Sequence, residues 1–266
     1  MKPSSVNNLI LREHQPKIVH FPIIAALLLV FPSACQTSRL PGQPEKSILT
    51  ANAQGQGYEI VLELTKGKEH NHPSFVLWAE DMNGTFIQTL FITVSIGKGV
   101  FEHGDPSSGK WMPGEIPRPA ALPYWAHRRG IQGDDGLYIP SPKNPIPDAY
   151  TGATPSGSFE LTTRFDKLPP RQFRLLFEIN QTWDWNEHWT NNKYPDDDEY
   201  KTSCQPALVY STVVDTDNLL DSYQLQVIGH SHYSGQTGEL FTNLGTMTTA
   251  LEIADKLTVR IIKSEE

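Results

Sequence analysis

The sequence predicts an all-β protein, an antiparallel β-sandwich with long irregular loops and one short helix near the C-terminus. Three observations carry this expectation. Short apolar/polar alternations recur from residue 58 to residue 261, proline- and glycine-rich segments separate them, and only one stretch has helical spacing. At 266 residues the chain is long enough to bury a core in one large β-domain, with no need of disulfide staples or a structural metal.

The elements follow in order. Tyr58, Ile60, Leu62 and Leu64 alternate with Glu59 and Glu63, the pattern of a half-buried strand. Ser74–Glu80 and Thr85–Ile96 flank Asp81-Met82-Asn83-Gly84, and Asn-Gly between β-rich runs signals a hairpin. Five more strands are expected at Phe159-x-Leu161, from Phe173 to Ile179, over Ala207–Val214, at Tyr223-x-Leu225-x-Val227 and from Leu257 to Ile261. The helix rests on Ala250, Ile253, Ala254 and Leu257, with Thr249-x-x-Glu252 as a capping box. Between the first hairpin and Ser158 lies a proline-rich stretch, residues 98–157, without periodicity; loops this long are usually functional or disordered.

The N-terminus reads as an export segment. Lys2, Arg12 and Lys17 precede the apolar run Pro22–Phe31, which is too short to span a bilayer and is followed by Ser33-Ala34-Cys35. Cys35 resembles the lipidated first residue of a bacterial lipoprotein, although Pro32 stands where that pattern usually has Leu; simple cleavage and an uncleaved anchor stay open. The expected organisation is therefore an export segment over residues 1–35, a Gln/Ser/Gly/Pro-rich linker over 36–56, and a single sandwich domain over 57–266. The protein is expected outside the cytoplasm, periplasmic and tied to the membrane by a lipid anchor.

Composition narrows the function. A net charge of −8 and no basic patch beyond His127-Arg128-Arg129 exclude nucleic acid as an expected partner. Two cysteines exclude a disulfide framework, a cysteine zinc site and an iron–sulfur centre, and Cys204 reads as a small buried core residue. No Gly-x-Ser-x-Gly elbow and no His-Glu-x-x-His helix is present, and Ser107-Ser108-Gly109-Lys110 is not taken as a Walker loop, so a stand-alone enzyme is not indicated. His230 and His232 have metal-ligand spacing but fall on the expected solvent face of the Tyr223 strand, without a third ligand.

Asp148-Ala149-Tyr150-Thr151-Gly152-Ala153-Thr154 stands at the end of the long loop, just before a strand. Asp-x-x-Thr-Gly-Ala-Thr resembles the motif at which bacterial flavin transferases attach FMN, through a phosphoester bond, to the last Thr of extracytoplasmic carrier proteins. The resemblance implies Thr154 as the covalent acceptor and Asp148, Thr151, Gly152 and Ala153 as its recognised surroundings, with Gly and Ala leaving room for the transferase. A structural turn built on Gly152 stays open beside it. A flavin ring would want aromatic neighbours, and Tyr124, Trp125 and Tyr150 are near in sequence; ordinary packing accounts for each equally well.

A wider resemblance covers about 190 residues. Phe75–Gly99, Leu122-Pro123-Tyr124-Trp125, the Thr-Gly-Ala-Thr turn, and Tyr223–Ile261 with Gly229-His230-Ser231-His232 and Thr248-Thr249-Ala250 are similar to the periplasmic family called domain of unknown function 2271. That resemblance implies an immunoglobulin-like sandwich and a place in flavin-dependent extracytoplasmic electron transfer, with a flavin transferase and exported redox proteins as partners. It brings no established reaction.

A second function class stays open. Trp183-Asp184-Trp185-Asn186-Glu187-His188-Trp189 and the acidic run Asp196–Glu199 form an insertion whose tryptophans suit a sugar platform and whose acids suit calcium. On that reading the protein is a non-catalytic binding or assembly module of the cell envelope.

Overall fold

The computed structural model describes residues 46–263, so the export segment and Cys35 lie outside the described residues. In chain order the strands and helices are β1 (Ser47–Thr50), β2 (Glu59–Lys66), β3 (Ser74–Asp81), β4 (Phe86–Thr93), α1 (Val94–Lys98), β5 (Val100–Asp105) and β6 (Met112–Glu115). There follow α2 (Pro123–Arg129), β7 (Thr151–Gly152), β8 (Phe159–Arg164), β9 (Gln172–Asn180), α3 (Asp198–Ser203), β10 (Leu208–Asp215), β11 (Tyr223–Gln224), β12 (Gln226–His230) and β13 (Ala254–Ile262).

Two sheets make the expected sandwich. One has the order β1-β8-β2-β13-β11, the other β12-β10-β9-β3-β4-β7, and β5 and β6 form a separate hairpin. Most pairs are antiparallel, as the alternating patterns require, but the edge pairs β1–β8 and β4–β7 are parallel. Phe75 from β3 sits at the centre of the inter-sheet core, its ring stacked with those of Phe91, Phe159 and Phe177 at 4.8–5.3 Å.

A third layer was not legible in the sequence. β3 carries two buried faces: Phe75, Leu77 and Ala79 enter the inter-sheet core, while Val76 and Trp78 pack outward against Ala121, Leu122, Tyr124, Trp125 and Ile146. The stretch 98–157, expected as an irregular loop, supplies this layer through α2 and the segment around Ile146. Gly104, Gly109 and Lys110 have Walker spacing, but Lys110 is followed by Trp111 and the segment turns between β5 and β6 instead of opening a helix.

Three further expectations are corrected. Ser47–Thr50, assigned to the linker, pairs with β8, and Ala51 after it is buried. The C-terminal helix is a single 3₁₀ turn, Ala250–Glu252, and Thr249 makes no side-chain cap. Its hydroxyl instead donates to Asp184 Oδ1 at 2.5 Å, so a long-range bond takes the group that local capping needed. The Tyr223 strand divides at Leu225: β11 joins β13 in one sheet and β12 joins β10 in the other. The alternation carried through that switch was therefore misleading, and His230 is buried, not solvated.

Candidate functional site

The structure sets Asp148–Thr154 along a sheet edge. Asp148–Tyr150 form one 3₁₀ turn, after which Thr151 and Gly152 pair in parallel with Ile92 and Thr93 of β4, making β7 the outermost strand of its sheet. The Asp148 carboxylate is solvent-exposed and meets Lys98 Nζ at 2.6 Å. Thr151 spends its hydroxyl on the Asp148 carbonyl at 3.3 Å. Thr154 is half-buried, and its hydroxyl has no hydrogen-bond partner among the described residues. Of the two threonines, Thr154 is thus the one with a nucleophilic oxygen to spare.

Gly152 has a packing reason of its own. A Cβ there would lie 2.6 Å from Phe91 Cε2, inside van der Waals contact with a ring fixed in the core. Gly152→Ala is expected to lower stability by about 1–3 kcal/mol through this overlap, read by urea denaturation of protein that carries no flavin. An unchanged midpoint would show that Phe91 yields freely.

Thr154 and Ala153 open onto a groove of about 590 Å³, within the usual range of ligand sites. Its walls come from separate segments: Phe101 on β5, Ile116 and Arg118 after β6, and Trp183 in the insertion. Trp183 is 67% exposed and sits at φ +58°, a left-handed backbone that a bulky residue adopts only under constraint. The constraint is visible. Trp183 N donates to the Thr202 carbonyl at 3.1 Å, Asp184 N to the Ser203 carbonyl at 2.9 Å, and Gln205 Nε2 to the Asp184 carbonyl at 3.1 Å. Burial raises the Asp184 carboxyl above its ordinary range.

Arg118 brings charge to the groove. Its guanidinium lies over the Phe101 ring at 5.5 Å and donates to the Thr202 carbonyl, but Nε is buried without an acceptor. Burial lowers its pKa, opposed by Glu199, which acts through space without an ion-pair contact. An anion in the groove would find a guanidinium that makes no direct ion pair among the described residues, with Glu199 offsetting part of its charge through space.

The remaining expected residues go elsewhere. Tyr124 and Trp125 are buried within the third layer, with Trp125 Nε1 donating to Thr89 Oγ1 at 3.0 Å, so neither is available to stack on a ligand beside Thr154. Tyr150 faces a different cleft, its hydroxyl donating to Asp166. His230 stacks on Phe241 at 5.4 Å with Nδ1 directed at the Ser231 carbonyl. No group of three His, Cys, Asp or Glu side chains among the described residues is placed to hold a metal. Cys204 is buried as expected, and burial pushes its thiol up to about 11.

The insertion divides by role. Trp189 is core, donating from Nε1 to Thr246 Oγ1 at 3.0 Å, whereas Trp183 and Trp185 stay 67% and 56% exposed. The acidic run starts α3: Asp197 caps it by accepting from Tyr200 N at 2.9 Å, and Asp198 and Glu199 occupy the positive end of the helix dipole. Sequence reasoning missed Phe101, Arg118 and the placement of Trp183 beside Thr154, because three distant loops meet there. No family model, curated protein or solved structure matches the chain. The two resemblances therefore stand on their quoted residues alone.

Proposed function

We propose that this protein is an exported, lipid-anchored β-sandwich of the periplasm that carries FMN on Thr154 and takes part in extracytoplasmic electron transfer. The observation that carries the reading is the unbonded Thr154 hydroxyl, two residues past the edge strand β7 and opening onto a groove with an exposed indole and an arginine whose Nε has no acceptor. The residues fit the group. Thr154 offers the oxygen for the phosphoester, Arg118 the charge that a phosphate wants, and Trp183 and Phe101 aromatic surface for a tricyclic ring. Bound there, the flavin supplies reversible electron transfer, while the chain holds, orients and electrostatically tunes it. A flavin transferase would approach from the free edge of β7, and exported redox proteins would exchange electrons at the open groove.

The test is the intact mass of the mature protein coexpressed with a flavin transferase, beside Thr154→Ala. An added FMN mass and in-gel fluorescence, both lost in the variant, are the expected result. An unmodified mass in both proteins would make the motif a structural edge and remove the reading.

The exposure of Trp183 and Trp185 favours one other function, a non-catalytic binding or assembly module of the envelope that presents these indoles to a glycan or protein. On that reading Trp183→Ala or Trp185→Ala abolishes a glycan-array or pull-down signal that the parent gives; indifference to both changes would count against it.

A further inference from the structure

Two consecutive arginines end α2, and the fold treats them oppositely. Arg128 is paired: Nε and Nη2 each meet a Glu80 carboxylate oxygen at 2.9 Å, and Nη2 also reaches the Gly84 carbonyl. Arg129 forms no ion pair among the described residues. It gives one Nη2 hydrogen to the Tyr138 carbonyl at 3.0 Å, lies over the Trp125 ring at 5.1 Å, and buries Nε with no acceptor. A guanidinium left this way loses hydration without regaining the charge-assisted bonds that normally compensate. The α2 carbonyls beside it offer only a fractional negative charge. Burial alone lowers its pKa to about 10, with no carboxylate opposing the effect.

Arg129 lines an open cleft of about 360 Å³ whose other walls are mainly apolar, among them Phe86, Ile87, Ile131 and Ile146. Asp166, the acid of the cleft, accepts from the Tyr150 hydroxyl at 2.7 Å and from Asn52 Nδ2 at 2.8 Å and makes no ion pair with Arg129. We propose that this cleft binds a small carboxylate with an apolar body, the carboxylate on Arg129 and the body against Phe86, Ile131 and Ile146. Carboxylate geometry matches the planar guanidinium, and the apolar walls supply the burial that a bare anion could not use. The site neither includes Thr154 nor depends on the flavin reading.

The experiment is calorimetric titration of the purified protein, made without a flavin transferase, with 3-phenylpropionate, its neutral amide and acetate. Saturable binding of 3-phenylpropionate is expected, with the amide and acetate each weaker by about tenfold or more. Arg129→Gln is expected to weaken 3-phenylpropionate by at least about tenfold. Should that variant misfold, Ile131→Asp tests the same cleft from a half-exposed rim position and is expected to repel the carboxylate. Absence of binding, equal binding of acid and amide, acetate binding as tightly as 3-phenylpropionate, or unchanged affinity in a folded Arg129→Gln or Ile131→Asp protein would each overturn the proposal.

Discussion

Glu80→Ala is expected to destabilise the protein by about 3–5 kcal/mol, the cost of removing one partner from a buried ion pair. Glu80 has no exposed surface and satisfies four donors. Oε1 accepts from Trp78 Nε1 at 3.0 Å and Arg128 Nε at 2.9 Å; Oε2 accepts from Arg128 Nη2 at 2.9 Å and Arg174 Nη2 at 3.1 Å. The carboxylate thereby joins β3, β9 and α2, and through Arg128 it reaches Gly84 in the hairpin turn. Truncation strands the Trp78 indole N–H in an apolar layer and leaves both guanidinium groups without their carboxylate. The arginines soften the loss only in part, since their side chains are 32% and 29% exposed and reach some water. Arg174→Met is expected to cost only about 1 kcal/mol, because Glu80 keeps three of its four donors. Urea denaturation of the two variants checks both values; comparable losses would mean that Glu80 holds the layer through Arg174 rather than through Arg128 and Trp78.

Glu80 also marks where sequence pattern stops reporting structure. Period-2 alternation names residues that share a face but says nothing of what covers the opposite face. On β2 the opposite face is partly solvated, Glu59 and Glu63 occupy it, and the pattern reads correctly. On β3 and β9 the third layer covers the opposite face, so Trp78, Glu80, Leu176 and Glu178 are all buried where alternation alone implies water. Likewise the Gln/Ser/Gly/Pro composition of residues 36–56 hid β1, a strand of four residues whose partner β8 lies over a hundred positions away. The candidate site divides the same way. Asp148–Thr154 is contiguous and legible as a motif, whereas the groove beside it depends on Phe101, Arg118 and Trp183 converging from loops that share no local pattern.

Between pH 6.5 and 8 Glu178 is expected to lower stability with a slope of up to about 1.4 kcal/mol per pH unit, falling to about half of that at pH 8, which shows as the difference between the parent protein and Glu178→Gln. Glu178 is fully buried on β9, where its two carboxylate oxygens accept from the backbone N–H groups of Tyr124 at 3.1 Å and Trp125 at 2.8 Å, at the start of α2. Burial is the largest influence and pushes the carboxyl up to about 8, against the downward pull of those two donors. The sign follows from proton counts. Across this window the native state holds a proton that the unfolded chain, titrating near 4.5, has already lost, so each rise in pH favours unfolding. Over the full span from about 4.5 to 8 the loss is on the order of 5 kcal/mol. Other groups act in the window too. Burial lowers His70, His230 and His232, so their contribution rises with pH through their ordinary value of 6.5 and opposes that of Glu178 until about pH 7.5, while burial raises Asp184 and Glu199, whose contributions fall with pH. Cys204, raised to about 11, acts only above its ordinary value of 9. Denaturation of the parent and of Glu178→Gln, which carries no titrating proton at that position, at half-unit steps from pH 6.5 to 8 therefore isolates the carboxyl in the difference between the two profiles, and that difference is expected to shrink as pH rises. A flat difference between the two proteins would mean that the two N–H donors outweigh burial and hold Glu178 ionised, making the α2 junction a charge-stabilised contact instead of one that needs a proton.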